Sequence, residues 1–158
     1  MDLVITPATE ADLDAIDEIE QHSFKSPWTR ATFEGELKRE WARIDVVRRE
    51  HSARIIGFCN YWLVTTELHI LAIATHPDVR GRRIATYLLG HILDKARAAG
   101  CSLATLEVRR SNRPAIALYE RAGFKTVHVR ARYYQDDGED ALVMLRGLSD
   151  DSATEPSP

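Results

Sequence analysis

The chain has 158 residues, 44% of them hydrophobic and 28% charged, with a formal net charge of −3 at pH 7. That balance fits one ordinary domain with a sizeable core and leaves no basic excess for a nucleic-acid partner. No apolar run is long enough to span a membrane and Met1–Thr9 has no secretory-signal pattern, so the expectation is a soluble, cytoplasmic protein with no membrane partner.

Leu3–Thr6 reads as a short strand. Pro7-Ala8-Thr9 then introduces a helix, with Thr9 as cap, Asp12 at the third helical position, and Leu13, Ile16, Ile19 and Phe24 as the inner stripe. Lys25-Ser26-Pro27-Trp28-Thr29 breaks it, and Thr29 caps a second helix that turns Phe33 and Leu37 inward. From Trp41 to Val64 the pattern is extended: ARIDVVRRE, a turn over His51–Arg54, and RIIGFCNYWLV, rich in β-branched and aromatic residues, predict a hairpin.

Leu68–Ala74 is apolar except for His69, as in a central strand covered on both faces, and it ends where Pro77 cannot donate to a ladder. Arg80-Gly81-Arg82-Arg83-Ile84-Ala85 leads into a helix with Ile84, Leu88, Ile92 and Ala96 on one stripe and Gly100 as its C′ residue. A basic turn therefore stands at a helix start, where unpaired N–H groups and the positive end of the macrodipole favour an anion such as diphosphate. The plainer alternative is a solvated basic turn.

Leu103–Val108 is the next strand, and a right-handed crossover makes it parallel to Leu68–Ala74. Asn112 caps the helix that follows, Pro114 sits in its first turn and Gly123 ends it. Strands over Lys125–Tyr133 and Ala141–Leu145 flank the turn Gln135-Asp136-Asp137-Gly138. Residues 1–148 read as a single domain and residues 149–158, SDDSATEPSP, as a disordered acidic tail. Cys59 and Cys101 lack metal-ligand spacing and read as reduced, partly buried thiols, with a catalytic thiol as the sharper alternative.

Ligands of mostly parallel sheets bind outside the carboxyl ends of strands, which brings the basic turn and Glu107 towards one cleft. Asn112 and Tyr119, seven residues apart, share one helix face with small Ala115 between them. Taken alone, Glu107 is either a base or a partner of Arg109, Tyr119 an acid or a core tyrosine, and Asn112 a ligand contact or only a cap.

Three segments carry a resemblance to the GCN5-related N-acetyltransferases (GNAT), in their ribosomal-protein-alanine branch. ILAIATHPDVRGRRIATYLL resembles the family's acetyl-CoA motif, LEVRRSNRPAIALYERAGF its catalytic motif, and RARYYQDDGEDALVM the branch's closing hairpin; SFKSPWT is similar to the substrate loop. The resemblance implies an α/β (α+β) fold: a mixed sheet of about seven strands flanked by about four helices, splayed between the fourth and fifth strands. It implies an acetyl-CoA-dependent enzyme without a metal. Ile73, Ala74 and Thr75 would bond the pantetheine arm, the segment Arg80, Gly81, Arg82, Arg83, Ile84, Ala85 and Thr86 would hold the pyrophosphate, and Asn112 would touch CoA. Glu107 matches the general base and Tyr119 the acid that reprotonates the CoA thiolate.

Arg83 stands where the family commonly has glycine, so the backbone loses its ease at positive φ and its closest ligand approach; the expectation is that Arg83 is tolerated, with its guanidinium outward or on a phosphate oxygen. The implied partner is a protein N-terminus, the alanine of the eighteenth small-subunit ribosomal protein; the rivals are other N-termini, lysines, small amines, or a non-catalytic acetyl-CoA sensor. On the acceptor side the candidates are Trp28, Tyr133 and Tyr134 as groove walls, and Glu36, Glu40 or Glu67 for basic side chains. His69 and His76 are read as structural, with proton relay as the alternative.

Overall fold

Runs rich in β-branched and aromatic residues become strands, and the amphipathic stripes become helices. In this computed structural model, residues 2–80 and 83–149 are described, so the tail from residue 150 lies outside the described residues. In chain order the elements are β1 (Leu3–Pro7), α1 (Leu13–Ser23), α2 (Arg30–Leu37), β2 (Ala42–Arg49), β3 (Ile55–Val64) and β4 (Glu67–Thr75). They continue with α3 (Ile84–Ala98), β5 (Leu103–Arg109), α4 (Arg113–Arg121), β6 (Lys125–Arg130) and β7 (Ala141–Gly147). The sheet order is β1-β2-β3-β4-β5-β7-β6. Only β4 and β5 run parallel among the strand pairs with a defined register.

Two compact units divide the chain. One holds the residues up to Trp62 together with Leu71–Leu89, the other Leu63–Ile70 and the chain from Gly90 onward. In the first unit, Leu13, Ile16 and Ile19 of α1 and Phe33 of α2 are buried in one cluster with Ile44 and Val46 of β2 and Phe58 of β3. Each such side chain contributes roughly 1.5–3 kcal/mol by leaving water. Phe33 meets Phe58 edge-on at 5.7 Å between ring centroids and Trp28 at 5.5 Å. The start of α1 is tighter than an α-helix: Glu10–Asp12 is a 3-10 turn, closed by the Thr9 N–H donating to the Asp12 carboxylate at 2.9 Å.

Glu36 does not serve acceptors. It is 2% exposed, and its carboxylate accepts from Trp62 Nε1 at 2.8 Å, Asn60 Nδ2 at 3.1 Å and Arg39 at 2.7 Å. An expectation of availability fails here because a buried carboxylate must fill its lone pairs internally.

The second unit is built on β5, which pairs with β4 on one side and antiparallel with β7 on the other. The β4–β5 register runs from Glu67↔Leu103 to Ile70↔Leu106 and stops there, which is the splay. The closing hairpin differs from expectation. β6 ends at Arg130, because Arg132 turns into the left-handed region at φ 53° and gives its N–H to the Asp140 carboxylate at 3.0 Å, leaving Tyr133 and Tyr134 in the connection. Cys59 and Cys101 are both buried. No described helix is long and apolar enough to cross a membrane.

Candidate active site

Alternation along β5 sorts its side chains onto two faces: Ala104, Leu106 and Val108 are buried, and Thr105, Glu107 and Arg109 face the other way, half-buried. The parallel register sets His69 of β4 opposite Thr105, so His69 and Glu107 are diagonal neighbours on that face. His69 Nε2 lies 3.4 Å from Glu107 Oε1, and Arg130 Nε lies 3.5 Å from Glu107 Oε2. Arg109 is not the partner of Glu107. Its guanidinium donates instead to Asp136 at 2.8 Å and to Asp137 and Glu139 at 3.2 Å. With a side chain 22% exposed, Glu107 stays reachable between the His69 imidazole and the Arg130 guanidinium.

Tyr119 sits on α4, which begins at Asn112. The Asn112 Oδ1 accepts the Ala115 N–H at 3.3 Å, so the residue caps as expected. Tyr119 is 6% exposed, with its ring edge-on to Phe124 at 5.8 Å. Gly123, at φ 96°, ends the helix in a conformation that costs a side-chain-bearing residue, and Gly100 ends α3 likewise at φ 91°.

Tyr133 and Tyr134 stand edge-to-face at 5.2 Å. Arg109 covers the Tyr134 ring at 4.0 Å, and Arg130 lies over the Tyr133 ring at 5.4 Å. Burial pushes the Tyr134 phenol up to about 12, against a lowering by the Arg109 charge. Tyr134 is therefore a neutral hydrogen-bonding phenol throughout the physiological range.

In the first unit, Ile73, Ala74 and Thr75 close β4, beyond the end of its register with β5. A 3-10 turn, Pro77–Val79, follows. Arg80 fastens the turn rather than offering a free cation: its guanidinium donates to the Thr75 carbonyl at 3.3 Å, the His22 carbonyl at 3.2 Å and Ser23 Oγ at 2.9 Å. Gly81 and Arg82 lie outside the described residues. Arg83 is exposed and holds φ 61°, the left-handed conformation that glycine adopts without cost. Its carbonyl accepts the first hydrogen bond of the helix, from the Tyr87 N–H, at 3.0 Å. The N–H groups of Ile84, Ala85 and Thr86 are the first of α3 and have no acceptor within the helix.

Trp28 belongs to the same unit. Its N–H donates to Glu20 Oε2 at 2.9 Å and its carbonyl accepts from Gln21 at 3.5 Å, so α1 holds this loop by both backbone groups. His76 is tied to Glu18 at 3.1 Å and accepts the Asp78 N–H at 3.2 Å, a structural cap.

The sequence alone offers Arg109 only as a partner of Glu107 and leaves Glu20 and Arg130 out. The two-residue alternation in LEVR put Arg109 on the face of Glu107, a signal that was available. Nothing local marked Arg130 or the buried Glu20. Among the described residues, no group of three His, Cys, Asp or Glu side chains is arranged to hold a metal ion.

Known proteins share this architecture and sequence. The acetyltransferase (GNAT) family profile matches residues 13–124. A protein of Bacillus subtilis (strain 168), described as a putative ribosomal protein bS18-alanine N-acetyltransferase, is 36% identical over 134 residues, or 84% of this chain and 87% of its own. The ribosomal protein bS18-alanine N-acetyltransferase of Salmonella typhimurium is 33% identical over 147 residues, or 92% and 97%. The crystal structure of the Escherichia coli ribosomal-protein-alanine N-acetyltransferase superposes with a TM-score of 0.84 at 32% identity, covering 93% of this chain and 94% of that one. The chain is therefore an acetyl-CoA-dependent N-acetyltransferase that belongs to the GNAT family, in its ribosomal-protein-alanine branch.

Proposed function

We propose that the protein acetylates the α-amine of a protein N-terminus, the N-terminal alanine of ribosomal protein bS18, by direct transfer from acetyl-CoA. The observation that carries the reading is Glu107: a half-buried carboxylate beside two basic groups, on the strand face that also bears the tyrosine-rich connection. The names borne by relatives that match nearly end to end support the choice of acceptor.

An α-ammonium has a reference pKa of ~8 and must lose a proton before it attacks a thioester. In this reading Glu107 takes that proton, directly or through water. The amine nitrogen forms a bond to the acetyl carbon, the carbon–sulfur bond breaks, Tyr119 gives a proton to the departing thiolate, whose conjugate acid lies near ~8.5, and the second proton released by the nitrogen restores the phenol. Ile73, Ala74 and Thr75 bind the pantetheine arm through their backbone. The pyrophosphate is held by backbone amides of the segment from Gly81 through Thr86, with Arg80 fixing the turn and Asn112 contacting CoA. Trp28, Tyr133 and Tyr134 contact the acceptor. The work is done in the cytoplasm, where ribosomal proteins are made.

The test is steady-state kinetics with an alanine-starting peptide on Glu107→Gln and Tyr119→Phe. Both variants are expected to lose about 100-fold or more in kcat while binding of acetyl-CoA, followed by calorimetry, stays within about twofold. Full activity in both across neutral pH would end the assignment of roles.

A further inference from the structure

Glu107 and Arg109 are two residues apart on one face of β5, and a circuit of contacts runs from one back to the other. Arg109 covers Tyr134 at 4.0 Å, Tyr134 meets Tyr133 at 5.2 Å, Arg130 lies over Tyr133 at 5.4 Å, and Arg130 Nε stands 3.5 Å from Glu107 Oε2. Every member lies in the second unit.

Arg109 ties the circuit to the β6–β7 connection. The Arg109 side chain is 15% exposed and donates to three carboxylates of the β6–β7 connection: Asp136 at 2.8 Å, and Asp137 and Glu139 at 3.2 Å. Those carboxylates then shape the loop. Glu139 Oε2 accepts the Ser111 N–H, and Asp137 Oδ1 accepts the Glu139 N–H at 3.0 Å. The Tyr134 N–H reaches the Glu139 carbonyl at 3.1 Å, and the Gly138 N–H returns to the Tyr134 carbonyl at 2.8 Å.

Without Arg109, three acidic side chains, in positions 136, 137 and 139, would repel one another where they now converge. A planar guanidinium satisfies several carboxylates along its edge while its face stacks on an aromatic ring; lysine does only part of this. Arg130 and Tyr133, by contrast, are half-exposed and have fewer ties, so their places depend on the loop behind them.

We propose that Arg109 is the positioning residue for the acceptor: it draws the β6–β7 connection onto β5 and so sets where Tyr134, Tyr133 and Arg130 stand beside Glu107. This rests on the acceptor reading given above. Arg109 itself touches neither the donor nor the reacting atoms; it acts through the tyrosines and through Arg130.

The test uses the full chain with Arg109→Met, Arg109→Lys and the partner-side variant Asp136→Asn. Michaelis constants for an alanine-starting peptide and for acetyl-CoA are measured separately, with hydrogen exchange at the Tyr134 and Gly138 amides. Loss of a charge-assisted, multidentate anchor is expected to raise the peptide KM about tenfold in Arg109→Met, less in Arg109→Lys and Asp136→Asn, with the acetyl-CoA KM within about twofold. The two amides exchange faster in the same order. If both Michaelis constants move together, or if neither the peptide KM nor the exchange changes, Arg109 does not position the acceptor and the inference falls while the catalytic roles stand. A wild-type enzyme that acetylates no peptide N-terminus removes the acceptor reading and this inference together.

Discussion

Glu20 is the buried group whose titration most clearly shapes stability. It is 3% exposed; Oε2 holds the Trp28 amide and Oε1 has no hydrogen-bond partner among the described residues. Burial is the main cause that pushes its carboxyl from the ordinary 4.5 up to about 7; the Trp28 N–H opposes that shift and Asp17 adds to it. The folded chain therefore binds this proton more tightly than the unfolded chain. Below pH 4.5 both states carry the proton and the group contributes no pH dependence. Between pH 4.5 and 7 the unfolded state ionises first, so stability falls as pH rises. At ~1.4 kcal/mol per pH unit the loss amounts to about 3 kcal/mol, and above pH 7 it levels off.

Glu20→Gln keeps an acceptor for Trp28 and removes the titration. Urea unfolding of both proteins from about pH 4 to about pH 8 isolates the effect, because every other group titrates alike in the two. The wild type is expected to lose about 3 kcal/mol relative to the variant across that range. Parallel stability curves, or a wild type that gains on the variant as pH rises, would refute the reasoning.

Arg83→Gly is expected to stabilise the fold. Relief of the left-handed backbone at φ 61° is worth about 1 kcal/mol or somewhat more, the added freedom of the unfolded glycine takes back roughly half, and calorimetry reads a Tm higher by about 1–2 °C. Arg83→Val, β-branched at the same φ, lowers it. Asn112→Ala loses the Oδ1 acceptor for the Ala115 N–H and costs about 1 kcal/mol, visible as a lower urea midpoint with an unchanged slope.

Much of the architecture was legible because it is written in local spacing. Ile84, Leu88, Ile92 and Ala96 recur at the helical period and are all at most 1% exposed in α3. Gly100 and Gly123 hold the positive φ that their places after helices required. Arg83 was legible in a different way: a family glycine replaced by arginine pointed to φ, and the backbone is left-handed there.

What escaped is set by partners distant in sequence. The end of β6 at Arg130 depends on the Asp140 carboxylate capturing the Arg132 N–H, and no propensity in RARYY encodes that capture. Glu36 reads as a surface helix residue until Asn60 and Trp62 of β3 arrive to donate to it. Arg109 looked like a partner for Glu107, its neighbour on the strand face, until three carboxylates about thirty positions later folded back onto it. Long-range electrostatics of this kind shapes the tyrosine-bearing connection, which is why the strand and helix framework was easier to read.

Under the proposed function, one acetyl group passes to an N-terminal alanine. The direct measurement is mass spectrometry of ribosomal protein bS18 after incubation with the enzyme and acetyl-CoA, alongside peptides with other first residues, an internal-lysine peptide and a polyamine. The expected result is a single added acetyl group on the alanine nitrogen, with that acceptor preferred over the others. Acetylation confined to lysine or the polyamine, or no preference for the alanine terminus, would contradict it.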